Sequence, residues 1–431
     1  MTAKVHIIGA GLAGLAAALR LAPGSRQIFV HEAAAQAGGR CRSYFDSTLG
    51  MVIDNGNHLL LSGNRAAHAF LREVGTEAQL IGPKTAEFAF VDLGTGARWR
   101  LRPNEGPIPW WILMPSRRVP DTRIGEYLRP LALLLARKGT SIKAAMECSG
   151  RLYEQLWRPF FLAALNTEPE QGEASLAAAL LRETLMKGGR ACHPLVAVSG
   201  LSAAFIEPAL RRLAAQNAII KFGARLNNIE FAQNRATRLD FGSETIGLDA
   251  EDRVVLAVPA TIAATLMPGL ATPQAFRAIV NAHFKIAPPT HLPAVTGVTN
   301  GLIEWLFSFP DRLSVTISGA DRLLDVPREE LAEKIWRDVA QVTQIAEPLP
   351  AWQIIKEKRA TFAAIPEEEF RRPPTRTAFS NLVLAGDWTA TGLPATIEGA
   401  VRSGFRAAAE ILRPHENAKE AGASRSGDRL A

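Results

Sequence analysis

Gly9-Ala10-Gly11-Leu12-Ala13-Gly14 is a GxGxxG that follows a short apolar run and opens a run of small, helix-compatible residues. In that setting each glycine has a separate task. Gly9 permits a tight turn, Gly11 lets the backbone approach a pyrophosphate, and Gly14 lets helix and strand pack closely. The amides of Ala10, Leu12 and Ala13 then point toward the phosphates from a helix N-terminus. Glu32 lies 18 residues beyond Gly14. It is placed to accept hydrogen bonds from ribose hydroxyls, and its charge disfavours a 2′-phosphate. These residues read as a dinucleotide site, with NAD and FAD both open at this point.

Gly38-Gly39-Arg40 follows Glu32 after a short loop, and Val383-Leu384-Ala385-Gly386-Asp387 stands near the other end of the chain. The two together resemble the paired signatures of the FAD-binding amine oxidases and carotenoid desaturases. That resemblance selects FAD. It implies that Arg40 reaches back to the phosphates from beside Gly39. It also implies that Asp387, freed by Gly386 to approach closely, meets the ribityl chain or pyrophosphate. The next helix start, with Thr396 and Ile397, would aim N–H groups at the electron-rich edge of the flavin and stabilise an anionic reduced form.

Longer stretches carry a closer likeness. They are Asp54-Asn55-Gly56-Asn57-His58, Arg102-Pro103-Asn104-Glu105-Gly106-Pro107, Trp110-Trp111, Leu165-Asn166-Thr167, and the run from Ala385 to Ala400. Together they resemble the hydroxysqualene dehydroxylases, squalene-associated FAD enzymes of bacterial hopanoid pathways. Membership would place Gly56 and Asn57 against the cofactor. It would make the substrate a hydrophobic triterpene, 12-hydroxysqualene, which loses its hydroxyl and gains a hydride to become squalene. Hydroxide is a poor leaving group, so such a reaction needs a proton donor. His58 and Glu398 are the candidate catalytic residues, and each could instead bond the cofactor or a nearby backbone. Trp110, Trp111, Trp157 and Trp388 are candidates to line the channel or to stabilise an allylic cation, with core packing as the alternative.

Positioning these groups requires a particular order of elements. Val5 to Ile8 reads as a buried parallel strand, Gly14 to Leu21 as a helix stopped by Pro23-Gly24, and Gln27 to Glu32 as the second strand. Strands are expected at 87–93, 98–101, 218–222, 253–258 and 381–385. Helices are expected across roughly 122–190, at 202–216 and at 395–412. The fold class expected is α/β, an FAD-binding Rossmann-like domain of the amine-oxidase type with an interleaved α+β substrate domain. The nucleotide domain is expected from residues 1–60, 195–262 and 355–415, and the substrate domain from 61–194 and 263–354. Residues 416–431 read as a disordered polar tail.

The remaining features exclude more than they assign. Cys41, Cys148 and Cys192 lack CxxC spacing, and His193 and His283 lack partners at ligand spacing, so no metal site is expected. Ser199-Gly200-Leu201-Ser202 suits a turn before a helix better than a nucleophile elbow. Net charge is +7 with 21% charged residues, and no basic run interleaved with aromatics suggests nucleic acid. The positive charge either attracts an anionic membrane or simply aids solubility. The longest apolar run is too short to span a bilayer, and no export signal is expected, so a cytoplasmic protein with at most peripheral membrane contact follows. Segments 108–114 and 128–136 are the candidates for that contact. No motif names the electron donor that reloads the flavin. A non-enzymatic lipid-binding relative of this fold is the rival reading, but its flavin motifs would be expected to decay. A polyene desaturase or amine oxidase would share the fold and run the redox step in the other direction.

Overall fold

The computed structural model describes residues 2–413; the tail expected at 416–431 lies outside the described residues. Two sheets organise the chain. The first is parallel, in the order Ile219–Phe222, Gln27–Glu32, Lys4–Ile8, Arg253–Leu256, Leu382–Leu384. Its central strand is buried from Val5 to Ile8, His6 included, because both of its faces are covered, and Val5 and Ile7 are fully buried. The helix Leu12–Leu21 packs beside it with every residue but Arg20 buried.

The C-terminal helix Ile397–Leu412 lies directly on that first helix. A Cβ at Gly404 would stand 2.2 Å from the Ala13 carbonyl oxygen, so the two backbones touch where only glycine fits. This contact brings the two ends of the chain to one place.

The second sheet has seven strands, in the order Trp352–Phe362, Phe276–Phe284, Arg312–Ile317, Trp305–Phe309, Val295–Thr299, Phe88–Asp92, Arg98–Leu101. All neighbours are antiparallel except Val295–Thr299 with Phe88–Asp92. Strand alternation gives it two unlike faces. Val280, Ala282, Leu313, Val315 and Ile317 face the helix Arg328–Thr343, which answers with Leu331, Ile335 and Val339. The intervening residues Asn281, His283, Ser314 and Thr316 bond one another or the segment around residue 55. Further along, Phe90, Trp99, Trp305 and Phe307 turn the same face aromatic and join the core beneath residues 111–165.

The elements expected from sequence around the dinucleotide turn are present with small shifts at their ends. Elsewhere the structure departs from expectation. The strand Trp352–Phe362 belongs to the second sheet, so residue 355 falls inside a strand there, and the parallel sheet resumes only at Leu382. The stretch expected to be helical from 122 holds the 3₁₀ segment Ile124–Leu135 with Pro130 inside it, because proline breaks regular α-helical bonding. The helix expected at 202–216 opens with a π turn, Ser202–Ile206, ahead of Pro208. Proline has no N–H for the carbonyl four residues earlier, and a wider turn supplies one from the next residue.

Candidate active site

The glycine turn has the three properties that a phosphate cradle needs. Gly9 has φ +106°, its N–H donates to the His31 carbonyl at 2.7 Å, and a Cβ would meet the Ala257 carbonyl oxygen at 2.6 Å. A Cβ at Gly14 would stand 1.9 Å from the Gly9 carbonyl oxygen. Gly11 differs, since nothing lies within 4 Å of its Cβ position, and the space over the helix start is open. Gly38 N–H donates to the Ala10 carbonyl at 2.9 Å, and Gly39 lies against Gly11. The Glu32 carboxylate accepts the Ala10 N–H and the Ala34 N–H, both at 2.8 Å, through different oxygens. Each oxygen keeps a lone pair for a ribose hydroxyl.

Arg40 and Asp387 meet. The guanidinium Nη2 donates to both carboxylate oxygens, at 2.7 and 2.8 Å, and Nη1 donates to the Ala360 carbonyl. The Asp387 charge raises the Arg40 pKa further, so the guanidinium stays cationic. Sequence reasoning sent each toward the cofactor separately and missed their pairing. It also missed Arg372, whose fully buried side chain bonds Glu369, the Asp387 and Thr389 carbonyls and the Thr391 hydroxyl. Arg372 thereby fixes the backbone on which Asp387 sits. Gly386 makes room for the Trp388 ring, whose Nε1 donates to the Val258 carbonyl at 2.9 Å.

The loop from Asp54 to His58 is clamped between the sheets. Asn55 N–H donates to the Arg42 carbonyl at 2.9 Å, and the Asn57 amide donates to the Val315 carbonyl at 3.1 Å and the Thr316 hydroxyl at 3.2 Å. Gly56 packs on Asn281. His283 bonds the Asp54 carbonyl and the Ser314 hydroxyl, a structural use that agrees with its lack of metal partners. The Asn57 Oδ1 is buried with no partner among the described residues. The open space over Gly11 at a helix N-terminus, with the Glu32 carboxylate fixed by the Ala10 N–H beside it, suits the phosphates and ribose of a dinucleotide. These residues therefore fit FAD.

His58 stands at the end of this loop, half-buried and without a hydrogen bond among the described residues. Burial and the Arg40 charge push its imidazole down to about 4. It is neutral near pH 7, so it holds no spare proton with which to begin an acid-catalysed step.

Glu398 takes the backbone-bonding role that was the alternative to proton donation. Its oxygens accept the Ala66 N–H at 3.1 Å and the Ala67 N–H at 2.9 Å, and Arg402 donates to it at 2.8 Å. The side chain points to the start of the helix Arg65–Val74 and ties it to Ile397–Leu412. Thr396 caps its own helix by accepting the Gly399 N–H at 3.0 Å, and no protein acceptor meets the Ile397 N–H among the described residues.

Of the four tryptophans singled out from sequence, Trp110 is exposed beneath Arg117, Trp111 meets Tyr127 edge-on, and Trp157 stacks on Phe161. Trp388 is held at the Gly386 turn. Sequence reasoning missed Trp99 and Trp305, whose indole N–H groups, like that of Trp157, are buried without an acceptor among the described residues. It also missed Glu304, which burial pushes up to about 7. The available signal was an acid set between the apolar residues Ile303 and Trp305. Among the described residues no group of acidic, histidine or cysteine side chains could hold a metal ion.

Residues 12–412 match the family described as flavin containing amine oxidoreductase. A hydroxysqualene dehydroxylase of Rhodopseudomonas palustris is 55% identical over 413 residues, covering 96% of this chain and 99% of that protein. A hydroxysqualene dehydroxylase of Sinorhizobium fredii is 51% identical, over 95% of this chain and 98% of its own. Among solved structures, cyclohexylamine oxidase of Brevibacterium oxydans superposes with a TM-score of 0.68 at 16% identity, over 95% of this chain and 99% of that one. That likeness bears on the fold, and the family match makes the chain an FAD-dependent oxidoreductase. With its two flavin motifs brought together by one helix pair and its near full-length likeness to these relatives, the chain belongs to the flavin containing amine oxidoreductase family and, within it, to the hydroxysqualene dehydroxylases.

Proposed function

We propose that this protein removes the hydroxyl of 12-hydroxysqualene reductively, giving squalene, with FAD held between the glycine turn and the Asp387 strand end. The observation that carries this reading is the 55% identity to a hydroxysqualene dehydroxylase across 96% of the chain. Glu32, which already holds the Ala10 N–H, would take the adenosine ribose, the amides from Gly11 to Gly14 the pyrophosphate, and Arg40 with Asp387 the phosphate and ribityl portion. Gly56 and Asn57 would border the cofactor from the second sheet, and the amide at Ile397, after the Thr396 cap, would favour negative charge at the flavin edge. When bound and reduced, the flavin supplies a hydride to the allylic carbon that loses the hydroxyl. Around that carbon the protein offers aromatic faces, Trp305 and Phe90 among them, suited to a delocalised cation. The neutral His58 imidazole can orient the hydroxyl through a hydrogen bond.

The same reading includes peripheral membrane contact, since a triterpene partitions into lipid. No helix among the described residues is long and apolar enough to cross a membrane. Ile108, Trp110, Leu113, Leu128, Leu131 and Leu135 are all exposed on the segments singled out from sequence, Leu135 by 88%. Exposed Arg123, Arg137 and Lys138 lie on the same stretch of chain and suit an anionic leaflet.

The deciding experiment is anaerobic incubation of photoreduced, FAD-loaded protein with hydroxysqualene in D2O and in H2O, followed by extraction. Squalene carrying one deuterium only from D2O is expected. No product from the reduced protein, together with a product carrying more double bonds and a bleached flavin when oxidised protein is used, would replace this reading with a desaturase.

A further inference from the structure

Two buried hydrogen-bonding groups of opposite kind stand unpartnered on the inner face of the second sheet. Asn57 is 8% exposed, and its Oδ1 meets no donor among the described residues. Trp305 is 9% exposed, and its indole N–H meets no acceptor among them. Buried polar groups are nearly always paired, so each of these needs an account.

Strand register brings the two together. Asn281 is the cross-strand partner of Thr316, and Thr316 is the partner of Trp305. Partners in register present their side chains to the same face, roughly 5 Å apart. The Thr316 hydroxyl donates to Asn281 Oδ1 at 2.8 Å and accepts from Asn57 Nδ2 at 3.2 Å, so the Asn57 amide sits over the strand next to Trp305. The orientation of that amide is fixed. Nδ2 also donates to the Val315 carbonyl at 3.1 Å, which can only accept, so the NH2 end is spent on the sheet and Oδ1 is left for a donor outside it. Beyond Trp305 the same row runs through Gly297, Phe90 and Trp99. A Cβ at Gly297 would meet the Phe90 ring at 2.4 Å, so that ring lies across the strand and keeps the row aromatic. Trp99, whose N–H is also unpaired, is set apart from Asn57 by Phe90. One acceptor and one donor therefore stand together where the polar wall that clamps the 54–58 loop gives way to an apolar one.

We propose that Asn57 Oδ1 and Trp305 Nε1 form the recognition site for the single hydroxyl of an otherwise hydrocarbon substrate; this rests on the function proposed above. An alcohol oxygen carries one proton and two lone pairs. Its O–H donates to Asn57 Oδ1, and one lone pair accepts the Trp305 indole N–H. The second lone pair stays open for His58, the residue after Asn57, or for the proton that makes water the leaving group. The hydrocarbon on either side of the carbinol carbon lies against the aromatic row. Squalene, having lost the hydroxyl, leaves both groups without a partner, and a site built to bond a hydroxyl discriminates strongly against the analogue that lacks it. The same two residues thus select the substrate and favour release of the product.

The test compares three ligands on oxidised, FAD-loaded protein, which does not turn them over: hydroxysqualene, the corresponding 12-ketone and squalene, each partitioned at equilibrium from detergent micelles. The ketone accepts from Trp305 and has no proton for Asn57, so alcohol over ketone reads Asn57 and ketone over squalene reads Trp305. Wild type is expected to show each preference at about tenfold or more. W305F keeps an aromatic face and removes the N–H; it should lose the ketone-over-squalene preference and keep the other. N57L should lose the alcohol-over-ketone preference and keep the ketone-over-squalene one. Should N57L fail to retain FAD, the wild-type series and W305F still decide. Alcohol, ketone and squalene bound within about threefold of one another by wild type, as expected if water or the flavin takes the two groups, overturns the site. Preferences that survive unchanged in W305F and N57L overturn it equally. Failure of reduced wild-type protein to form squalene overturns the function itself, whereas squalene formation without these preferences overturns the recognition site alone.

Discussion

The Arg40 guanidinium grips both oxygens of the Asp387 carboxylate, at 2.7 and 2.8 Å, across 347 positions of sequence. Asp387 is nearly buried, with 8% of its side chain exposed, whereas Arg40 is 46% exposed toward the cleft. The pair joins the first flavin motif to the second before any cofactor binds. Removing Arg40 strands a nearly buried carboxylate, and removing the Asp387 charge leaves the half-exposed guanidinium without its counter-charge. Asp387→Asn is expected to weaken FAD binding at least about tenfold, or 1.4 kcal/mol, and to lower Tm. Fluorescence titration of apoprotein with FAD reads the first effect and calorimetry the second.

The three glycines of the turn should separate into two classes. Gly14→Ala drives a methyl into the Gly9 carbonyl oxygen, and a loss of about 1–3 kcal/mol in urea unfolding of the apoprotein is expected. Gly11 opens onto empty space, so Gly11→Glu should leave apoprotein stability within about 1 kcal/mol of wild type while abolishing FAD uptake. Full FAD affinity in Gly11→Glu would show that the phosphates lie elsewhere.

Glu398 should behave as a cap. Glu398→Ala strips two backbone amides of their acceptor and leaves Arg402 without one of its carboxylates. A stability loss of about 1–3 kcal/mol is expected, with turnover per bound flavin nearly intact. Loss of kcat in the fully flavin-loaded variant at unchanged Tm would restore Glu398 to the chemistry.

Acid should destabilise the fold through buried histidines. His6 and His31 lie 3.1 Å apart in the parallel sheet, with pKa values lowered to about 4 and about 3, and His283 in the second sheet is lowered to about 3, burial being the main cause in each. In the unfolded chain these groups titrate near 6.5. Below that pH the unfolded state binds more protons, so stability falls as pH drops from 6.5 toward 4 and is unaffected by these groups above 6.5. The slope is at most about 1.4 kcal/mol per pH unit for each histidine. Urea unfolding of the apoprotein at pH 7.5, 6 and 5 should show it, and His283→Gln should flatten it.

Binding to lipid should need both the apolar patch and the positive charge. Co-sedimentation with phosphatidylglycerol vesicles is expected at low salt, weakening as salt rises. A Leu113→Ser, Leu135→Ser double variant is expected to stay in the supernatant with its flavin spectrum intact, both side chains being exposed, by 61% and 88%. Equal binding by the double variant would move the contact to another face.

By itself the sequence determined the dinucleotide turn, the strand and helix around it, the choice of FAD, and the place of Gly386-Asp387 at the end of a strand. Each depends on a local requirement, such as a positive φ at Gly9 or a short buried apolar run, that neighbouring residues satisfy. The exposure of Ile108, Trp110, Leu113 and Met114 agrees with the reading of that segment, whereas Trp111 and Ile112, expected exposed beside Trp110, are buried. Tertiary structure decided what those residues do to one another. Arg40 is occupied by Asp387, Glu398 is spent on the amides of Ala66 and Ala67, and the Arg40 charge with burial holds His58 neutral. The helix Arg328–Thr343 and the parallel pairing of Val295–Thr299 with Phe88–Asp92 escaped sequence reasoning in the same way. Partner choice and proton affinity depend on which distant groups remove a side chain from water, and spacing along the chain carries no record of that.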